Sequence, residues 1–68
     1  MRKRSVALNG HDTSVSLEDE FWSELRRIAS DRAIPLARLI AEVDERRSDA
    51  NLSSALRLAV LAELKSRL

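Results

Sequence analysis

Three side chains that can exchange hydrogen bonds recur at every second position of "HDTSVSL": Asp12, Ser14 and Ser16. In an extended chain such spacing puts all three on one face, because strand side chains alternate with a period of two. Two hydroxyls and a carboxylate in a row can donate to and accept from base edges, although serines on an exposed strand are commonly only solvated. Just ahead, "MRKR" gathers Arg2, Lys3 and Arg4 beside the chain's amino end. That cluster suits an arm for nucleic acid or for anionic lipid, and it equally suits plain solubility.

Other chemistry has little to stand on. The chain has no cysteine and a single histidine, His11, so neither a disulfide nor a His/Cys metal site is available. "SLED" holds a serine and acids, yet there is no nucleophile elbow and no glycine-rich phosphate loop. The expectation is a protein with no catalytic residues, no cofactor and no metal. The basic start is followed only by "VAL" before Asn9 and Gly10, far short of a signal peptide's apolar core. "ALRLAVLAEL" is interrupted by Arg57 and Glu63 and is too short to cross a bilayer. A soluble cytoplasmic protein without membrane contact is expected.

The elements that position these groups follow from hydrophobic spacing. Thr13, Val15 and Leu17 form the apolar face of the strand opposite Asp12, Ser14 and Ser16. "SVAL" followed by Asn9-Gly10 is a hairpin signal, since that pair tolerates the positive φ angles of a type I′ turn. Such a hairpin pairs Leu8 with His11 and Val6 with Thr13. The alternative is a free N-terminal arm.

From Glu18 to about Arg32 the spacing turns helical, with Phe21, Trp22, Leu25, Ile28 and Ala29 in one stripe. Ser16 and Asp19 have the spacing of a capping box, and Glu18, Asp19 and Glu20 suit the positive end of the helix dipole. Pro35 ends this helix and opens a second, roughly 35 to 47, that buries Leu36, Leu39, Ile40 and Val43. Ser48, Asp49 or Asn51 can cap a third, about 52 to 67. There Leu52, Leu56, Leu58, Val60, Leu61 and Leu64 point nearly all the way round. A 68-residue chain has little material to cover such a helix, so a partner subunit is expected. Trp22 reads as core rather than as a base-stacking platform. Arg26-Arg27 and Arg46-Arg47, with acids nearby, read as solvated helix faces rather than as phosphate contacts.

The order strand, acidic helix start, tight break and second amphipathic helix in "TSVSLEDEFWSELRRIASDRAIPLARLIAEV" resembles the ribbon-helix-helix family of bacterial DNA-binding proteins, the Arc/MetJ superfamily. "GHDTSVSLEDEFW" and "NLSSALRLAVL" are also similar to a subgroup of short bacterial members. The fold this implies is mostly α with one short N-terminal β-strand, an added C-terminal helix, and an intertwined homodimer in which each chain supplies one strand of an antiparallel ribbon. Residues 1–11 are then a basic arm or a first hairpin strand, and 12–68 the ribbon-helix-helix domain. An arm leaves Arg2, Lys3 and Arg4 free to reach phosphates, whereas a hairpin makes the shared ribbon a four-stranded sheet, wider than a groove of about 12 Å admits, and hides the reading face.

The resemblance implies a transcriptional regulator whose partners are a second copy of itself and duplex DNA, with a protein partner, as for an antitoxin, as the alternative. Asp12, Ser14 and Ser16 would meet bases. Arg2, Lys3, Arg4 and the backbone around Pro35, Leu36 and Ala37 would meet phosphates. Val15, Leu17, Phe21, Leu25, Ile28, Leu39, Ile40, Val43, Leu56 and Val60 would build the shared dimer core. Three residues depart from the family pattern. Asp12 repels phosphates, although it can accept from cytosine N4. Pro35 removes a backbone donor, and Ala33 occupies a turn position where glycine is frequent.

Overall fold

The computed structural model describes residues 1–47 and 51–68. Two strands, β1 (Arg2–Leu8) and β2 (His11–Leu17), precede three helices, α1 (Asp19–Asp31), α2 (Leu36–Arg46) and α3 (Leu52–Lys65). The front of the chain is therefore the hairpin and not a free arm. Asn9 (φ 52°) and Gly10 (φ 84°) both lie in the left-handed region, the geometry of a two-residue type I′ turn whose twist matches that of the strands. The register has Leu8 opposite His11, Val6 opposite Thr13, and Arg2 opposite Leu17. Within the chain β2 pairs with β1, and among the described residues the far edge of each strand has no strand neighbour.

Directly opposed residues share a face, so the hairpin has an inner face of Arg2, Arg4, Val6, Leu8, His11, Thr13, Val15 and Leu17. Leu8, Val15 and Leu17 are buried there. Helix α2 packs behind β1 and α3 behind β2, with α1 against both helices. Trp22, Leu25, Ile28 and Ala29 enter the core from α1, Leu39, Ile40 and Val43 from α2, and Leu52, Leu56 and Val60 from α3. Nine of the ten residues expected in a dimer core are thus already enclosed by one chain; Phe21 is only half-buried. Leu36 is likewise half-buried. The exposed surface of 4613 Å² is close to the roughly 4,300 Å² usual for a monomer of this mass.

The helix ends explain the tight connections. Glu18, not Ser16, is the N-cap of α1, and its side chain makes no capping bond; Ser16 is still inside β2. The Glu18 carboxylate instead accepts from Arg57 Nε at 3.0 Å, which ties the strand-to-helix junction to α3. At the far end of α1, Ile34 N–H donates to the Ala29 carbonyl and Ala33 N–H to that of Ser30, the paired bonds of a Schellman motif. Ala33 accordingly sits at φ 56°. Asn51 caps α3, its side chain accepting from Ser54 N–H at 2.8 Å; Ser48 and Asp49, the other cap candidates, lie outside the described residues. Among the described residues, no helix is long and apolar enough to cross a membrane.

Candidate nucleic-acid interface

The outer face of the hairpin is built by three cross-strand pairs: Lys3 with Ser16, Ser5 with Ser14, and Ala7 with Asp12. Helices cover Leu8, Val15 and Leu17 of the inner face and leave Arg2, Arg4 and His11 exposed, while among the described residues no helix packs over the outer pairs. Lys3, Ser5, Ala7, Asp12 and Ser14 are exposed and Ser16 is half-buried. The three expected base-contact residues, Asp12, Ser14 and Ser16, do fall together on it. Lys3, expected at phosphates, stands in the same row, and Ser5 and Ala7 join it although sequence reasoning had not singled them out. The signal for them was present: the Asn9-Gly10 turn fixes Leu8 opposite His11, and counting back along both strands gives the other pairs.

Arg2 and Arg4 go elsewhere. Each is paired in register with a core residue, Leu17 and Val15 respectively, so the period of two directs both to the inner side of the sheet. Arg2 Nε donates to Asp19 Oδ1 at 2.9 Å, a bond that holds the Asp19 carboxyl below its ordinary range. The Arg4 guanidinium lies over the Trp22 ring, 5.6 Å from its centroid, within cation–π reach. Both residues remain exposed to solvent, tethered to α1 at the surface rather than carried on an arm.

At the start of α2, Pro35 is the N-cap, and its carbonyl accepts from Arg38 N–H at 3.1 Å and Leu39 N–H at 3.2 Å. Pro35 has no N–H to give, so of the three expected phosphate residues only Leu36 and Ala37 carry a donor. These are the open donors of a helix start, where the backbone favours an anion. Trp22 is core, as its spacing indicated, with 1% of its surface exposed. Arg27, from one of the two arginine pairs, is engaged by Glu24, Asp31 and Glu63, which makes it an interhelix tie.

A second surface accompanies the ribbon. Leu58, Leu61 and Leu64 of α3 are 60%, 51% and 41% exposed. Beside Leu58 an open groove of about 680 Å³ runs between α2 and α3, floored by Val43, Ala55, Ala59 and Ala62.

The ribbon followed by helices has a counterpart among known families: the family described as "Ribbon-helix-helix domain" matches residues 1–64. The chain belongs to the ribbon-helix-helix family. The match takes in β1 as well as the strand and helices that carried the sequence likeness, so the hairpin lies within the family domain. No curated protein and no solved structure matches the chain.

Proposed function

We propose that this ribbon-helix-helix protein is a homodimeric, cytoplasmic DNA-binding regulator of transcription that lays the β1–β2 hairpin in the major groove. The observation that carries the reading is the outer face of the hairpin, a two-stranded antiparallel ribbon with five side chains able to exchange hydrogen bonds: Lys3, Ser5, Asp12, Ser14 and Ser16. A two-stranded ribbon is the width that a groove of about 12 Å admits. Lys3 would donate to guanine, the serines to or from either partner of a pair, and Asp12 would accept from cytosine N4. The Leu36 and Ala37 N–H groups would hold a phosphate and fix the register.

Homodimerisation is supported by the exposed leucines of α3, Leu58, Leu61 and Leu64. A second copy seated on Leu58, Leu61 and the neighbouring groove would cover that apolar surface.

A protein-interaction module, antitoxin-like in role, is the second reading. It is favoured by the engagement of Arg2 with Asp19 and of Arg4 with the Trp22 ring, which leaves Lys3 and Asp12 to cancel on the outer face. Fluorescence anisotropy with mixed-sequence duplexes over a salt series separates the two. DNA binding through several phosphates gives a log-log slope of about −0.9 for each one neutralised. Absence of binding at low salt would reject the regulator reading in favour of the interaction module.

A further inference from the structure

The groove between α2 and α3 has a floor of Val43, Ala55, Ala59 and Ala62. Its three alanines stand four and three positions apart, which puts them on one face of α3. Small side chains at a contact let a second helix axis come close, and the same surface continues to the exposed Leu58 and Leu61. Helix α3 runs 14 residues, about 21 Å at 1.5 Å per residue. An open apolar trough of that length suits the i, i+3, i+4 and i+7 anchors of an amphipathic helix.

The charge at its edge is positive. Arg46 lines the groove from α2, and Lys65 is exposed two turns beyond Leu58 on α3. Among the described residues neither takes part in an ion pair. The other charged groups of the lining are engaged, Arg47 by Asp44 and Glu63 by Arg27 and Arg67. Glu45 lies about 200° round α2 from Val43, away from the groove. A second copy seated here by a two-fold axis would bring its own Arg46 and Lys65 to the same patch. Like charges would then crowd one apolar surface, whereas an occupant with acidic flanks would meet opposite ones.

We infer that the groove takes an amphipathic helix of a protein partner, apolar on one face and acidic along its flanks, in place of a second copy. This rests on the interaction-module reading above. Apolar side chains of the partner fill the space over Ala55, Ala59 and Ala62 and pack on Leu58, while its carboxylates reach Arg46 and Lys65. The surface that would seat a second copy is thereby occupied, so the partner and the dimer contact exclude one another.

Two designed peptides test this against the full chain. Both carry leucine at i, i+3, i+4 and i+7, and they differ only in having glutamate or lysine along the flanks. In fluorescence anisotropy the glutamate form should bind about tenfold more tightly, because two exposed charge pairs change from repulsive to attractive. That margin should shrink as salt is raised. Arg46→Glu with Lys65→Glu should reverse the order, and Ala62→Trp, which fills the groove from an exposed position, should abolish binding of both peptides with the circular dichroism spectrum intact. Equal affinity for the two peptides, or binding of neither, would overturn the inference. So would a chain that stays dimeric through Leu58 and Leu61 and excludes the glutamate peptide, which makes a second copy the occupant. Failure with the peptides leaves the interaction-module reading in place; that reading falls separately, on duplex binding in the salt series.

Discussion

The Trp22 indole Nε1 donates a 2.9 Å hydrogen bond to the carbonyl oxygen of Arg2, so the first residue of β1 is fastened to the start of α1. The Arg2 side chain reaches Asp19 of the same helix, and Arg4 lies across the indole. The strand that completes the ribbon is held by α1 as well as by its ladder with β2. Trp22→Phe removes the donor and part of a fully buried ring. It should cost about 1–3 kcal/mol of stability and speed amide exchange in β1 more than in α2. Urea unfolding followed by circular dichroism, with hydrogen exchange, measures both; an unchanged midpoint would show that the anchor is not needed.

Ala33 provides the opposite case, a residue whose replacement should stabilise. Its φ of 56° costs an alanine about 1–2 kcal/mol, and the added freedom of an unfolded glycine returns about 0.4–1 kcal/mol of that. Ala33→Gly should therefore gain roughly 0.5–1 kcal/mol, a rise of a few degrees in Tm for a domain this small. A thermal melt that moves down would contradict the Schellman geometry.

Acid should loosen the helices from one another. Glu63 of α3 accepts from Arg27 of α1 at 2.7 Å and from Arg67 at 2.9 Å, and those bonds lower its carboxyl from the ordinary value of 4.5. The bonds from Arg57 to Glu18 and from Arg32 to Glu42 depress those two carboxyls in the same way. A depressed folded pKa contributes stability that is complete above the unfolded value and is lost as pH falls through the folded one. The urea midpoint should hold steady from pH 7 down to about pH 5 and fall below it. Glu63→Gln should lower the midpoint at pH 7 and flatten the acid limb; an acid limb identical to the parent's would remove this network as a cause.

Association should be separable from folding. Leu58 and Leu61 are exposed on α3 while Leu56 and Val60 on its other side are enclosed. Leu58→Glu with Leu61→Glu should turn a dimer into a monomer in sedimentation velocity and leave the circular dichroism spectrum intact. A variant that stays dimeric would move the contact away from α3.

Asp12 should oppose DNA by its charge. Asp12→Arg exchanges a repelled carboxylate for a cation on the outer face, and one added phosphate contact is worth about tenfold in affinity at 0.1 M salt and about 0.9 in the salt slope. Anisotropy that registers neither change would reject the outer face as the surface that meets DNA.

The helices and the turn were legible because their signals are local. Apolar spacing placed α1, α2 and α3 to within a few residues, and Asn9-Gly10 carried the register of a hairpin before any partner was known. The capping-box reading of Ser16 and Asp19 failed because Ser16 continues the ladder of β2. Glu18, whose side chain Arg57 draws away across the fold, was left as the cap.

By itself, the amino-acid order determined the period of each element, the face on which Asp12, Ser14 and Ser16 lie, and the membership that the family match makes plain. Tertiary structure alone decided between the hairpin and the free arm, set Arg2 beside Asp19 and Arg4 over Trp22 at the surface, and divided the leucines of α3 into a covered set and an open one. The physical reason is range. Periodicity and turn preference depend on neighbours a few bonds away, whereas the ties from Trp22 to Arg2 and from Arg57 to Glu18 join residues 20 and 39 positions apart. Which of several available partners a side chain meets is settled only when the chain has closed on itself.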